Sequence, residues 1–234
     1  MRRARRLRVP ALADTRSLGR AERQPARNQM TAARQYDRRY FDKWYRNPRY
    51  RVKSPEELER QATFVLGAAE YVLGRRVRTV LDIGCGEGNW LAPLRKLRRD
   101  IHYTGVDSSD YAVRRFGARR NIRLGMIDDL DRLRLRKSYD LILCVGMLNY
   151  LEPAQLDRGL DHVYERASGL VYLELFTSAD RGVFGDTKGT RLRSPAWYRA
   201  RLRKARFVSC GMHCYVPDWL EEHLSAMERC GDRS

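Results

Sequence analysis

The segment with the clearest chemistry is Val80-Leu81-Asp82-Ile83-Gly84-Cys85-Gly86-Glu87-Gly88. An apolar run with strand character ends in three glycines at alternate positions and turns directly into a helical pattern. Glycines in such a turn let the backbone bend sharply and approach a ligand with no Cβ in the way. In an open parallel sheet, ligands gather beyond the carboxyl ends of the strands, where this loop falls. A dinucleotide fingerprint requires G-x-G-x-x-G, whereas Gly84, Gly86 and Gly88 are followed by Asn89. The spacing suits an adenosyl ligand that carries no pyrophosphate. A second apolar run ends in Gly105-Val106-Asp107. Its acid stands at the distance downstream expected of a carboxylate that takes hydrogen bonds from ribose hydroxyls.

Loop, strand-end acid and their β-α-β context together resemble the class I S-adenosylmethionine (SAM)-dependent methyltransferases, over roughly residues 60 to 217. The resemblance implies that Asp82, Gly84, Cys85 and Gly86 pack against the methionine and ribose part of SAM. It implies further that Asp107 holds the ribose and that Ser108 lies beside the adenine. The family's third strand leads into a G-D-x-x-D-L-like segment. Here that segment is Gly125-Met126-Ile127-Asp128-Asp129-Leu130, with Met126 in place of the first acid. Ile127 is then expected to pack on the adenine and Asp128 to meet its amino group. After the fourth strand, Cys144 and Val145 are expected to border the cofactor, and Asn149 and Tyr150 to line the acceptor pocket. Many small-molecule members carry His where this chain has Asn149, and no other residue stands out as a base. The catalytic group is therefore unassigned. The Asn/Asp-Pro-Pro-aromatic signature of amino-directed DNA methyltransferases is absent.

The elements that must position these groups follow from periodicity. Ser54-Pro55-Glu56-Glu57 predicts a helix start, with a capping hydroxyl, a proline at the first turn and two acids facing the positive helix end. The helix is expected to run to about Gly74. Strands are predicted over 77–83, 102–106, 121–127, 139–145 and 170–176, and a strand pair over 207–216 divided at Gly211. Helices are predicted over 89–97, 110–116 and 153–167, and again from Ser194-Pro195. Such alternation predicts an α/β, Rossmann-like fold. The expected sheet has seven strands, mostly parallel with an antiparallel terminal strand, and helices on both faces. Four segments are expected: a basic, disordered extension over 1–29, a helical lid over 30–75, a SAM-binding catalytic domain over 76–217 and a tail over 218–234. Within the lid, Tyr40 and Arg51 are candidate contacts, Tyr40 to the acceptor and Arg51 to the methionine carboxylate. Trp44 and Tyr45 read as the packed face of an amphipathic helix. Glu174 reads equally as an internal strand residue or a pocket acid.

Composition narrows the function classes. The net charge is +18, yet residues 1–53 hold 17 of the 47 basic residues and only 4 of the 29 acidic ones. The excess thus sits in the first quarter, where it reads as a solvated arm or as a docking arm for nucleic acid. Met30 reads as an alternative start, with a transit peptide as the rival account of the arm. No run approaches the ~20 apolar residues of a membrane span, and the five scattered cysteines suit a reducing, cytoplasmic setting. Cys210-Gly211-Met212-His213-Cys214 offers three metal-ligand types without a second paired set, so no metal is expected. The reading is SAM-dependent methyl transfer to a small-molecule O, N or S acceptor. The alternatives are an RNA or protein methyltransferase that uses the basic segment, and a SAM-binding protein without catalysis.

Overall fold

A computed structural model describes residues 36–182 and 185–224. The basic extension 1–29 and the end of the C-terminal segment lie outside the described residues. The chain enters through a short helix α1 (Arg38–Phe41), whose first turn is capped by the Asp37 carboxylate accepting the Tyr40 N–H. A π-helical turn (Asp42–Arg46) follows. Helix α2 (Pro55–Leu73) starts with a full capping box between Ser54 and Glu57 and ends on Gly74 in the left-handed conformation. Its face of Ala62, Val65, Leu66, Ala69 and Val72 is buried.

Beyond α2 run β1 (Thr79–Ile83), α3 (Leu91–Leu97), β2 (His102–Asp107), α4 (Asp110–Arg120), β3 (Ile122–Leu124) and a 3-10 turn over Ile127–Arg132. Then come β4 (Tyr139–Val145), a 3-10 turn (Leu148–Tyr150), α5 (Pro153–Arg166), β5 (Ala167–Glu174), α6 (Pro195–Lys204), β6 (Phe207–Gly211) and β7 (Cys214–Pro217). The strands form one sheet in the order β3-β2-β1-β4-β5-β7-β6. All pairings are parallel except those of β7, which runs antiparallel to both neighbours. Strand order reverses between β1 and β4, and such a switch point opens a crevice at the carboxyl ends.

Helices cover both faces, and the apolar core divides accordingly. One cluster includes Leu81, Ile83, Ile127, Ile142, Leu156 and Leu160, and the other Val65, Val80, Leu94, Leu141 and Leu143. Successive residues of β1 and β4 point to opposite faces. That is why both strands read as continuous apolar runs rather than alternating ones.

Several boundaries differ from the periodicity reading: β1 starts at Thr79 and not at 77, α3 at Leu91 and not at 89, and β5 spans Ala167–Glu174 and not 170–176. The third strand stops at Leu124, because Ile127 and Leu130 lie three apart and both point into the core from a 3-10 turn. Helix α4 runs four residues past Phe116 and ends where Asn121 adopts φ 51°, a conformation asparagine tolerates better than most residues. The segment after β7 opens with a 3-10 turn (Asp218–His223) that buries Leu220. Among the described residues, no helix is long and apolar enough to cross a membrane.

Candidate functional site

A cavity of about 1130 Å³ opens at the carboxyl ends of β1, β2 and β4. Its inner wall is formed by Gly84, Gly86, Asp107, Ser108, Ile127 and Asp128. The main chain of the loop is held by β2, since the Gly84 and Cys85 N–H groups donate to the Val106 carbonyl at 2.8 and 3.2 Å. Gly84 and Gly86 take φ values of 69° and 54°, the left-handed region that favours glycine. The space a Cβ would fill is already taken. At Gly84 it would meet Met147 Cγ at 2.6 Å, and at Gly86 it would collide with the Tyr45 hydroxyl.

Asp107 is 9% exposed and its carboxylate is fixed from two sides. Oδ2 accepts the Gly86 N–H at 2.6 Å and Oδ1 the Ser109 N–H at 2.8 Å. Burial pushes its pKa up, opposed by these two backbone donors. Each carboxylate oxygen keeps lone-pair capacity for a ligand hydroxyl.

Asp128 lies on the same wall with a side chain 9% exposed. Its Oδ2 accepts from Arg158 at 2.9 Å, while its Oδ1 is buried with no hydrogen-bond partner among the described residues. Such an orphan acceptor is costly unless a donor arrives. An exocyclic amino group on an adenine would supply one, whereas the Ile127 side chain expected to pack on that base is turned into the core against Gly159. A cavity of about 1130 Å³ also exceeds the roughly 300–1,000 Å³ typical of a single drug-sized ligand. It has room for a cofactor and an acceptor together.

The other expected site residues sit at varying distances from this cavity. Tyr40 and Tyr150 line it. Asp82 lies beneath the glycine loop, where its Oδ2 accepts the Tyr103 hydroxyl at 2.6 Å and burial pushes its pKa up to about 7. Cys85 and Cys144 are buried, and burial raises both thiols. Asn149 is 2% exposed. Its amide donates to the Phe176 carbonyl at 2.6 Å and to the Tyr198 hydroxyl at 3.0 Å, and its Oδ1 accepts the Phe176 N–H at 3.0 Å. Arg51 is half-buried, outside the residues that line the cavity.

Several contributors were not singled out from sequence. Tyr36, Phe41 and Met147 line the cavity, as does Tyr45, which the sequence placed on the packed face of a helix. Arg46 reaches back to Glu87, inside the glycine loop, with Nη2 at 2.5 and 2.6 Å from its two carboxylate oxygens. The Ser109 hydroxyl donates to the Tyr36 carbonyl at 2.6 Å. Lys53 pairs with Glu174 at 2.8 Å. Although burial alone would raise the Glu174 carboxyl, Lys53, Gln61 and Tyr172 hold it below its usual range. Three tethers thus pull the N-terminal segment onto the sheet. The aromatic-basic run Tyr40–Arg46 was the available signal, but which acids it would meet depends on contacts more than 40 residues apart.

Comparison with known proteins agrees with this arrangement. A family model described as a methyltransferase domain matches residues 81–168. Malonyl-[acyl-carrier protein] O-methyltransferase of Bacillus cereus is 32% identical over 78 residues, covering 32% of this chain and 29% of that protein. The matches span about a third or less of the curated relatives' length. Among solved structures, the 1,6-didemethyltoxoflavin-N1-methyltransferase of Burkholderia thailandensis, with S-adenosylhomocysteine bound, superposes with a TM-score of 0.50. It is 23% identical, over 80% of this chain and 82% of that one. A SAM-bound amino pentose methyltransferase from Micromonospora echinaspora gives a TM-score of 0.54 at 15% identity, over 84% of this chain and 98% of the other. Both likenesses are of fold.

Proposed function

We propose, from the premise that the chain carries a class I SAM-dependent methyltransferase domain, that it transfers a methyl group from SAM to a small-molecule acceptor. The observation that carries the reading is the shared wall of Gly84, Gly86, Asp107, Ile127 and Asp128 at the strand-order reversal. Asp107 would accept the ribose hydroxyls, and Asp128 Oδ1 the adenine amino group. Ser108 would flank the base.

Bound there, the sulfonium supplies an activated methyl group to an acceptor lone pair lying in line with the carbon–sulfur bond. The chain's own task is then positioning and exclusion of water. Holding two reactants in line contributes about 7–11 kcal/mol in well-oriented model reactions. Tyr36, Tyr40 and Tyr150 would close over the acceptor. The names of the similar proteins include O- and N-methyltransferases of small molecules and of an acyl-carrier substrate, and they favour a small acceptor over a nucleic acid.

Calorimetric titration of SAM into the wild type and Asp107→Ala tests the reading. Binding near micromolar, about −8 kcal/mol, that is largely lost in the variant is expected. A folded wild type that binds no SAM would overturn it.

A further inference from the structure

We infer that Tyr36, Tyr40 and Tyr150 form an aromatic cage for a cationic amine within this cavity, and that the acceptor atom is an amine nitrogen. The identification of the acceptor rests on the methyltransferase reading above; the cage itself does not. All three tyrosines line the cavity. The Tyr36 and Tyr40 rings stand with centroids 5.0 Å apart at 88°, as two adjoining walls of a box. Tyr150 enters from the turn after β4, and its hydroxyl donates to the Asp186 carbonyl, which fixes the third ring. The Asp186 carboxylate is near enough to act electrostatically on all three phenols. Among the described residues it forms no ion pair; its Oδ1 accepts only the Lys188 N–H, at 3.1 Å.

Aromatic faces carry negative quadrupole potential, and several rings around one point attract a cation, most strongly where water is excluded. Other charges on the cavity wall do not oppose this. Arg158 and Arg132 are paired with Asp128 and Asp129, and Lys188 is exposed. A hydroxyl acceptor would need a base. The phenols cannot provide one, because burial pushes all three up and Asp186 adds to each, Tyr36 reaching about 12.

An ammonium would enter the cage after giving its proton to solvent, which frees the nitrogen lone pair. That pair forms the new C–N bond to the methyl carbon as the C–S bond breaks, with both of its electrons going to sulfur. The products are an ammonium bearing one more methyl and neutral S-adenosylhomocysteine, so the positive charge moves from sulfur to nitrogen. Ring faces around that nitrogen favour the charge where it develops, which is what lowers a barrier.

The test compares choline with its neutral isostere 3,3-dimethylbutan-1-ol by NMR titration of the protein, with and without saturating S-adenosylhomocysteine. Choline should bind about tenfold or more tighter than the isostere and should still bind beside S-adenosylhomocysteine. Tyr40→Leu should erase the preference and Tyr40→Phe keep it, because phenylalanine retains the ring face. Equal binding of the two probes, binding of neither, or displacement of choline by S-adenosylhomocysteine would overturn the cage. SAM titration of the same sample separates the two ideas. SAM binding without a choline preference removes the cage alone, and a choline preference without SAM binding leaves the cage and removes the methyltransferase reading.

Discussion

The carboxylate of Asp107 accepts the main-chain N–H of Gly86 at 2.6 Å, so the end of β2 holds the glycine loop of β1 directly. The same residue that is proposed to meet the ribose therefore also sets the shape of the loop beside it. With Gly86 at φ 54° and the Tyr45 hydroxyl where a Cβ would stand, the loop tolerates no side chain there. Gly86→Ala is expected to cost about 1–3 kcal/mol through backbone strain alone, with further loss as Tyr45 is displaced. Urea denaturation midpoints would measure the cost, and an unchanged midpoint would contradict this account of the loop.

Asp128→Asn tests the orphan acceptor. The substitution relieves a buried, unpartnered oxygen at the expense of the pair with Arg158, which is more than half exposed and contributes little. Stability should change by less than about 1 kcal/mol. An asparagine amide turned toward an adenine amino group would oppose donor to donor, so SAM affinity should fall roughly tenfold, about 1.4 kcal/mol. SAM binding equal to wild type would remove Asp128 from the adenine site.

Asn149 behaves in this geometry as a structural bracket. Its amide closes on both main-chain polar groups of Phe176 and on the Tyr198 hydroxyl. Its carbonyl accepts the Arg191 N–H at 2.7 Å. Asn149→Ala leaves buried polar groups of Phe176 unpaired and should destabilise the fold by about 2–4 kcal/mol. Thermal melts should show the loss, with SAM affinity at low temperature close to wild type. A variant of normal stability that fails only in turnover would place Asn149 at the acceptor instead.

Asp82 predicts a pH dependence. Its carboxyl rises from the ordinary 3.8 to about 7 because burial penalises the charged form, with the Tyr103 hydroxyl opposing. Between these values the folded state holds a proton that the unfolded chain has released. Raising the pH across this window therefore weakens the fold, and the stability present below pH 3.8 is lost by about pH 7. The full loss is on the order of 4 kcal/mol. Asp82→Asn keeps an acceptor for Tyr103 and removes the titration. Denaturant midpoints should favour the variant at pH 8.5 and converge with wild type toward pH 4. A constant difference across that range would show that Asp82 does not titrate there.

The sequence by itself determined the sheet and, on the cavity wall, the glycine loop and Asp107, because these rest on local rules. Continuous apolar runs fix buried parallel strands, Ser54-Pro55-Glu56-Glu57 fixes a helix start, and three alternating glycines demand backbone that other residues avoid. Asp107 follows from the length of one β-α-β unit. What lies across the cavity was decided by tertiary structure alone. The pairing of Arg46 with Glu87 and of Lys53 with Glu174 joins residues 41 and 121 positions apart, and no periodicity carries that information. Asn149 has the composition of a ligand-binding residue, yet the Phe176 main chain and Tyr198 consume its hydrogen bonds. Tyr36 and Tyr150, more than 100 residues apart in sequence, come to line one cavity only in the folded chain. A side chain's chemistry is written in its type; its partner is set by which surfaces the packed core brings within a few ångströms.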